Sequence, residues 1–249
     1  MNTKEKLKAF YNKEAKKYYQ TRNKYRSDWE TILQEIKNYW KKNISILEFW
    51  CGWWRCIKYL NDNLKEVKIK YTGVDLSDNL LNYAKKDNPN GNFICTDISS
   101  FSKDIKQESY DFIIWIASFQ HIPSNKEKLF LMKRFYQWLK YWWKIIMTNR
   151  SFSKRFIKKH KKTLLKSLLK SLYTLCWHNL RDLEIPRINW KERDYRFYHI
   201  FSLKELESLS KESWFIIGTL TYLDKTWHKT NSRKNSNNTL LIAKKEIFL

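Results

Sequence analysis

The sequence predicts an α/β fold: a mostly parallel, doubly wound sheet carrying a helical insert. Three observations predict it. Short apolar runs alternate with amphipathic helical ones from residue 44 onward, several of these runs end on an acidic or polar residue, and a turn-like WCGWWR segment follows the first of them. At 249 residues the chain suits one well-cored domain. It divides into an N-terminal helical segment (1–43), a strand–turn–helix core (44–150), a basic helical insert (151–200) and a closing helix with two strands (201–249).

Taken in order, residues 3–40 read as helical, a basic and aromatic run followed by DWETILQEIKNYW. ISILEF (44–49) is a first strand leading into the turn, and IKYLNDNLK continues as a helix. VKIKYTGVDL is a second strand ending at Asp75, with a helix through SDNLLNYAKK. NFICTDI (92–98) is a short third strand ending at Asp97. YDFIIWIASFQHI (110–122) is apolar enough for burial on both sheet faces. The helix KEKLFLMKRFYQWLK and the strand KIIMTNR complete a further βα unit. A basic helix and a loop fill 151–200, after which FSLKELESLSKES, FIIGTLTYL and NTLLIAKKE supply a helix and two strands. The tract HKTNSRKNSNN (228–238) reads as a polar loop between those strands.

Composition excludes some classes. A hydrophobic fraction of 43% and an aromatic fraction of 17% are incompatible with a disordered chain. No apolar run approaches the roughly 18 residues needed to span a membrane. The first residues carry no apolar core or small-residue cleavage site, so no secretory signal is expected. Cys51, Cys56, Cys95 and Cys176 form no CxxC pair and no zinc-like cluster, which predicts free thiols, no metal and a cytoplasmic location. The net charge of +24 suits a nucleic-acid partner. The alternative is an A/T-rich gene, since 38 of the 49 basic residues are Lys and the chain abounds in Asn, Ile, Phe and Tyr.

Such a gene explains 4 Gly and 3 Pro, but not 13 Trp, whose codon is G-rich. Trp50, Trp53 and Trp54 follow the first strand, where a ligand-cradling turn wants glycine. Trp142 and Trp143 stand where a helix gives way to a strand, and Trp214 follows the helix LKELESLSKES, both places for a glycine C-cap. UGA is read as glycine in some bacterial codes. Glycine at Trp50, Trp53, Trp54, Trp115, Trp142, Trp143, Trp177, Trp214 and Trp227 would give 13 Gly and 4 Trp, both ordinary. The competing reading is a genuinely Trp-rich protein.

In an open α/β sheet, ligands bind beyond the carboxyl ends of the strands, near the switch point in strand order. Four strand ends supply candidates. The first is Glu48-Phe49-Trp50-Cys51-Gly52-Trp53-Trp54, which with glycine restored is a turn whose backbone can lie close under a ligand. The second is Asp75, followed by Leu76. Its carboxylate can accept both hydrogen bonds of a ribose, and it lies 21 residues beyond Trp54, near the usual spacing of nucleotide-binding units. A helix N-cap is the alternative for Asp75. In Cys95-Thr96-Asp97-Ile98, Asp97 can accept from an adenine amino group or serve a turn. The fourth is Ala117-Ser118-Phe119-Gln120-His121, where His121 is either catalytic or structural.

With glycine restored, the first turn matches the E/D-x-G-x-G-x-G pattern of class I S-adenosylmethionine-dependent methyltransferases, and the chain resembles that Rossmann-like family. Within it, three stretches are similar to the tRNA wobble-uridine carboxymethyl methyltransferases, including the methyltransferase module of AlkB-homologue tRNA enzymes. YNKEAKKYYQTRNKYRSDW (11–29) resembles that family's opening Tyr-Asn-x-x-Ala, Thr-Arg and Trp pattern. IASFQHIP (116–123) resembles its Ile-Ala-x-x-His-His segment, with Gln120 in place of the first His. INWKERDYRFYHIFSLKEL (188–206) resembles its Pro-Trp-Lys and Arg-Tyr-Tyr-His-x-Phe, with Asn189 in place of Pro.

The resemblance implies S-adenosylmethionine as cofactor, held by Glu48, Trp50, Cys51, Gly52, Trp53, Trp54, Asp75, Leu76, Asp97, Ile98 and Ala117. It implies methyl transfer to the side-chain carboxylate of a modified wobble uridine, with Arg22, Tyr198 and His199 meeting the acceptor and His121 nearby. The expected partners are tRNA and a small activator subunit. The insert SKRFIKKHKKTLLKSLLKSLYTL has leucines at helical spacing and lysines around them, which suits a packed surface helix, an RNA-backbone contact or a membrane-surface helix. The competing functions are a small-molecule or quinone methyltransferase on the same fold and, if the tryptophans are genuine, a non-catalytic RNA-binding relative.

Overall fold

The computed structural model describes residues 3–22, 25–26, 28–39, 41–101, 105–173, 181–189 and 192–246. The expected parallel core forms from the apolar runs. Strand β1 (Asn43–Phe49) pairs in parallel with β2 (Lys68–Asp75) on one side and β4 (Tyr110–Ile116) on the other. β2 continues to β3 (Asn92–Cys95), and β4 continues to β5 (Leu139–Arg150). Two late strands, β8 (Ile216–Leu223) and β10 (Asn238–Lys244), extend the sheet, with β10 inserted antiparallel between β5 and β8. The order β3-β2-β1-β4-β5-β10-β8-β9, where β9 is the short edge strand Lys229–Thr230, reverses between β1 and β4, which puts the switch point at their carboxyl ends.

The helices follow from local sequence. α3 (Arg55–Asn63) starts directly after the left-handed Trp54. α4 (Asp78–Asp87) is capped by the Ser77 hydroxyl, which accepts from the Leu80 N–H. α6 (Asn125–Trp138) and α8 (Leu203–Glu212) are capped by Ser124 and Ser202, each followed three residues later by Glu. Ile46, Leu47, Phe49, Ile113, Trp115, Phe135 and Leu241 belong to the main core between sheet and helices. The N-terminal segment is two helices, α1 (Thr3–Thr21) and α2 (Asp28–Lys37), rather than one run. α1 docks on α4, where the Asn12 side-chain oxygen accepts from the Ser77 hydroxyl at 2.6 Å.

Four expectations are corrected. The insert is α7 (Lys154–Tyr173), kinked at His160, followed by an antiparallel hairpin of β6 (Asp182–Asn189) and β7 (Glu192–His199), not a helix and a loop. This hairpin packs Leu183, Ile185, Tyr198 and Ile200 with Phe156 of α7 into a second, smaller cluster. The helix before β5 stops at Trp138, so Trp142 sits in an irregular stretch of β5, donating its N–H to Lys245 O, and not at a helix C-cap. The third strand stops at Cys95, and Asp97 opens the short α5 (Ile98–Phe101) instead of ending a strand. The polar tract 228–238 contains β9 (Lys229–Thr230), which pairs with β8. The leucine face of α7 is open, with Leu165, Leu168 and Leu169 exposed.

Among the described residues, no helix is long and apolar enough to cross a membrane, and no group of His, Cys, Asp and Glu could hold a metal ion.

Candidate active site

A cavity of about 880 Å³ opens beyond the carboxyl ends of β1, β2, β4 and β5, roofed by α1 and the β6–β7 hairpin. Its floor is the turn after β1. Gly52 has φ 61°, and a Cβ built there meets nothing within 4 Å, so the backbone presents open space to the cavity. Trp50 and Trp54 on either side also lie in the left-handed region, at φ 55° and 63°, a conformation that a bulky side chain disfavours. Trp50 turns its indole into the cavity, stacked on His121 and edge-on to Tyr11.

The pattern extends along the chain. Among the described residues, seven non-glycines have positive φ, and five are tryptophans: Trp50, Trp54, Trp142, Trp214 and Trp227. Trp214 follows the Ser213 C-cap, and the next N–H, of Phe215, reaches Ser210 O, the closure that usually recruits glycine. Trp227 ends the tight turn between β8 and β9, with its N–H on Asp224 O. Trp53, Trp115 and Trp143 are not left-handed, and Trp177 lies outside the described residues. Trp115 is fully buried with its indole N–H unpaired.

Two buried carboxylates face the cavity from strand ends. Asp75 accepts from the Gly52 and Ser77 N–H groups, both at 2.8 Å. Burial pushes it up to about 6, against the pull of those backbone donors. Ser77, not Asp75, caps the helix, which leaves the Asp75 carboxylate to the cavity. Glu48 accepts from the Tyr71 hydroxyl at 2.7 Å, and burial lifts it to about 8.

His121 stands opposite. Its Nδ1 bonds Phe197 O at 2.6 Å, which assigns the proton to Nδ1 and leaves Nε2 as an acceptor. Burial lowers it to about 3, so the ring is neutral. The adjacent Gln120 accepts from the Arg150 N–H and donates to Ala117 O, tying the ends of β4 and β5 together. Ala117 itself is held at φ 54°, backbone strain beside the site.

The structure thus brings Glu48, Trp50, Cys51, Gly52, Trp53, Asp75, Ala117, His121, Arg22 and Tyr198 to one cavity. Five expected residues stand elsewhere. Trp54 and Leu76 are not on the cavity wall, and Ile98 is buried in the main core. Asp97 accepts from the Ser100 hydroxyl at 2.6 Å and pairs with Lys4, the turn role rather than the adenine one. His199 is fully buried between Asp182 and Glu205, each 2.5 Å from a ring nitrogen, and so is corrected from acceptor contact to structural tie. Sequence reasoning missed Tyr11, Arg26, Arg150, Arg155 and Arg196, which also line the cavity.

Residues 46–141 match the family model described as a methyltransferase domain. Residues 46–141 thus carry a methyltransferase domain, on the Rossmann-like α/β fold of class I methyltransferases. No curated protein matches the chain. A solved SAM-dependent methyltransferase from Methanosarcina mazei superposes with a TM-score of 0.66 at 19% identity, covering 86% of this chain and 98% of the other. One from Clostridium acetobutylicum gives 0.64 at 16%, covering 95% and 99%. The DhpI–SAM–HEP complex gives 0.64 at 13%, covering 97% of each. The methyltransferase cofactor is S-adenosylmethionine, and the wall fits it. Asp75 would hold the ribose, the turn 50–53 would lie under the methionine part, and the neighbouring cations Arg26 and Arg55 would meet its carboxylate.

Proposed function

We propose that this methyltransferase esterifies the carboxylate side chain of a modified uridine at the wobble position of tRNA. The observation that carries the reading is a site with many cations whose one carboxylate ionised at neutral pH, Asp75, is taken by the ribose. Its histidine is neutral and held at about 3, Glu48 keeps its proton at neutral pH, and arginines line the wall. Such a site suits an acceptor that is already an anion. When bound, S-adenosylmethionine supplies a methyl group on positively charged sulfur; its transfer to a carboxylate forms one O–C bond, breaks one S–C bond and moves no proton.

The chain's own residues then have three tasks. Arg22, at the end of α1 and stacked on Tyr18, neutralises and orients the acceptor carboxylate together with the Tyr198 hydroxyl. Tyr11, Phe10 and Tyr198 exclude water under α1. His121 offers Nε2 as a hydrogen-bond acceptor to the uridine. The similarity of residues 11–29, 116–123 and 188–206 to the wobble-uridine family supports the choice of tRNA, and a tRNA substrate places the enzyme in the cytoplasm.

The same reading includes glycine, encoded by UGA, at the nine tryptophan positions; the five left-handed tryptophans support it. The gene's codons at Trp50, Trp53 and Trp54 test this directly, UGG being the contrary result. The function is tested by methyl transfer to total tRNA with nucleoside analysis of the product, using both versions of the chain. Cofactor binding without label in tRNA that carries carboxymethylated wobble uridine would end the tRNA reading in favour of a small acceptor.

A further inference from the structure

The wall across from Asp75 holds positive charge that cofactor binding does not use. Arg150 closes β5, Arg155 stands on the first turn of α7, and Arg196 is carried by β7, so three separate elements deliver a guanidinium to one cavity. Lys159, one turn beyond Arg155, lines the same rim. Among the described residues no carboxylate pairs with Arg150, Arg155 or Arg196, whereas Arg26 is clamped by Asp28 and Arg181 by Glu205. Among the described residues the Arg150 guanidinium has one long bond, Nη1 to Asn237 O at 3.5 Å. Arg196 lies over the rings of Phe10 and Tyr198 and shares a hydrogen bond with the Tyr11 side chain, while its Nε is buried with no hydrogen-bond partner among the described residues.

Arg150 and Arg196 are partly withdrawn from water while Arg155 stays exposed at the rim; guanidiniums brought together in this way repel one another, and the withdrawn ones bring N–H donors that must be met. Burial works against the charge on Arg150, as do the neighbouring charges of Arg26, Arg196 and Arg155, with Tyr198 opposing them. A single carboxylate, with one charge and two oxygens, cannot satisfy three such forks as well as the cation at Arg22. A phosphate, with more charge and more acceptor oxygens, matches them bidentately.

We propose that Arg150, Arg155 and Arg196 form a phosphate subsite, so that the acceptor enters the cavity bearing a phosphate ester beside the group that is methylated. This rests on the anionic-acceptor reading and adds a second anion to it. The phosphate is either a diester of an RNA chain or the monoester of a small molecule, and the two are separated by the probes below.

The test is calorimetry on the cofactor-saturated protein with four probes: inorganic phosphate, 5-carboxymethyluridine, its 5′-monophosphate, and an anticodon stem-loop RNA carrying the same base. The monophosphate should bind about tenfold more tightly than the nucleoside, the worth of one charged hydrogen-bonded contact. That advantage should vanish in Arg155→Gln and in Arg150→Gln, with cofactor affinity kept. Arg155 is solvent-exposed, so its variant folds even if the buried Arg150 variant does not. A stem-loop that outbinds the monophosphate, and loses affinity in both variants, identifies the RNA diester. Equal binding of the two phosphate probes identifies a monoester. Equal affinity of nucleoside and monophosphate, or an advantage that survives Arg155→Gln, overturns the subsite. If no uridine probe binds at all, the tRNA reading fails instead; inorganic phosphate that binds the parent chain and not the variants then upholds the subsite alone, and phosphate that binds neither overturns it.

Discussion

The indole of Trp50 lies flat on the imidazole of His121, with ring centroids 5.2 Å apart and planes 9° from parallel. The stack bridges the turn after β1 and the end of β4, the two places between which a ligand at the switch point must pass. Replacing Trp50 by glycine removes the ring and relieves a left-handed side chain, a conformation that costs roughly 1–2 kcal/mol for an L-residue. Trp50→Gly should therefore raise S-adenosylmethionine affinity by about tenfold or more, read by calorimetry. An affinity no better than that of the parent chain would mean that the indole is an accommodated part of the site.

Asp75 is the cofactor's expected ribose partner. Asp75→Ala should weaken cofactor binding by about 1–3 kcal/mol, the usual loss for a charged hydrogen-bond acceptor. The carboxylate must be ionised to accept two hydroxyl protons, so affinity in the parent chain should fall as the pH drops through about 6. Affinity flat from pH 5 to pH 8 (roughly the span over which such a group titrates) would remove Asp75 from this role.

Glu48 offers a stability test. Its carboxyl is raised by burial to about 8 from an ordinary 4.5, so the folded chain keeps a proton that the unfolded chain releases. Stability from this group is highest at low pH and declines as the pH rises from 4.5 through about 8. Glu48→Gln should flatten that decline in melting temperature measured across the same range. A slope unchanged by the substitution would show that Glu48 is already ionised.

His199 should matter to folding rather than to turnover. Asp182 and Glu205 hold its proton above the ordinary range in spite of burial. Its contribution is complete below about 6.5, the ordinary value, and is lost as the pH rises through the raised one. His199→Gln should lower the melting temperature at pH 6 more than at pH 9 (roughly either side of that window). Methyl transfer per folded molecule should stay the same, and a loss of transfer without a loss of stability would return His199 to the acceptor side.

Much of the core was legible in the sequence because β1 and β4 bury both faces and so read as unbroken apolar runs. Glu48 and Asp75 were legible because strand ends at a switch point are where ligands bind. The β6–β7 hairpin was not, since charged and polar residues separate its alternating Leu183 and Ile185, Tyr198 and Ile200, and its core is a small one of its own. Trp142 was misplaced because β5 begins at Leu139, five residues before the expected start at Lys144. Arg26, the pair Arg150 and Arg155, and Arg196 lie far apart in sequence; no spacing rule unites them, and only the topology does.

The docking of α1 has a consequence for synthesis. Its anchors are made after it: Ser77 and Asn79 bond Asn12, and Arg196, much later in the chain, covers Phe10. This helix must therefore wait through the synthesis of most of the domain before its last partner emerges. Until then its apolar stripe of Leu7, Phe10, Ala15 and Tyr18 has only part of its cover. Newborn chains stalled before β7 should be the ones that chaperones hold.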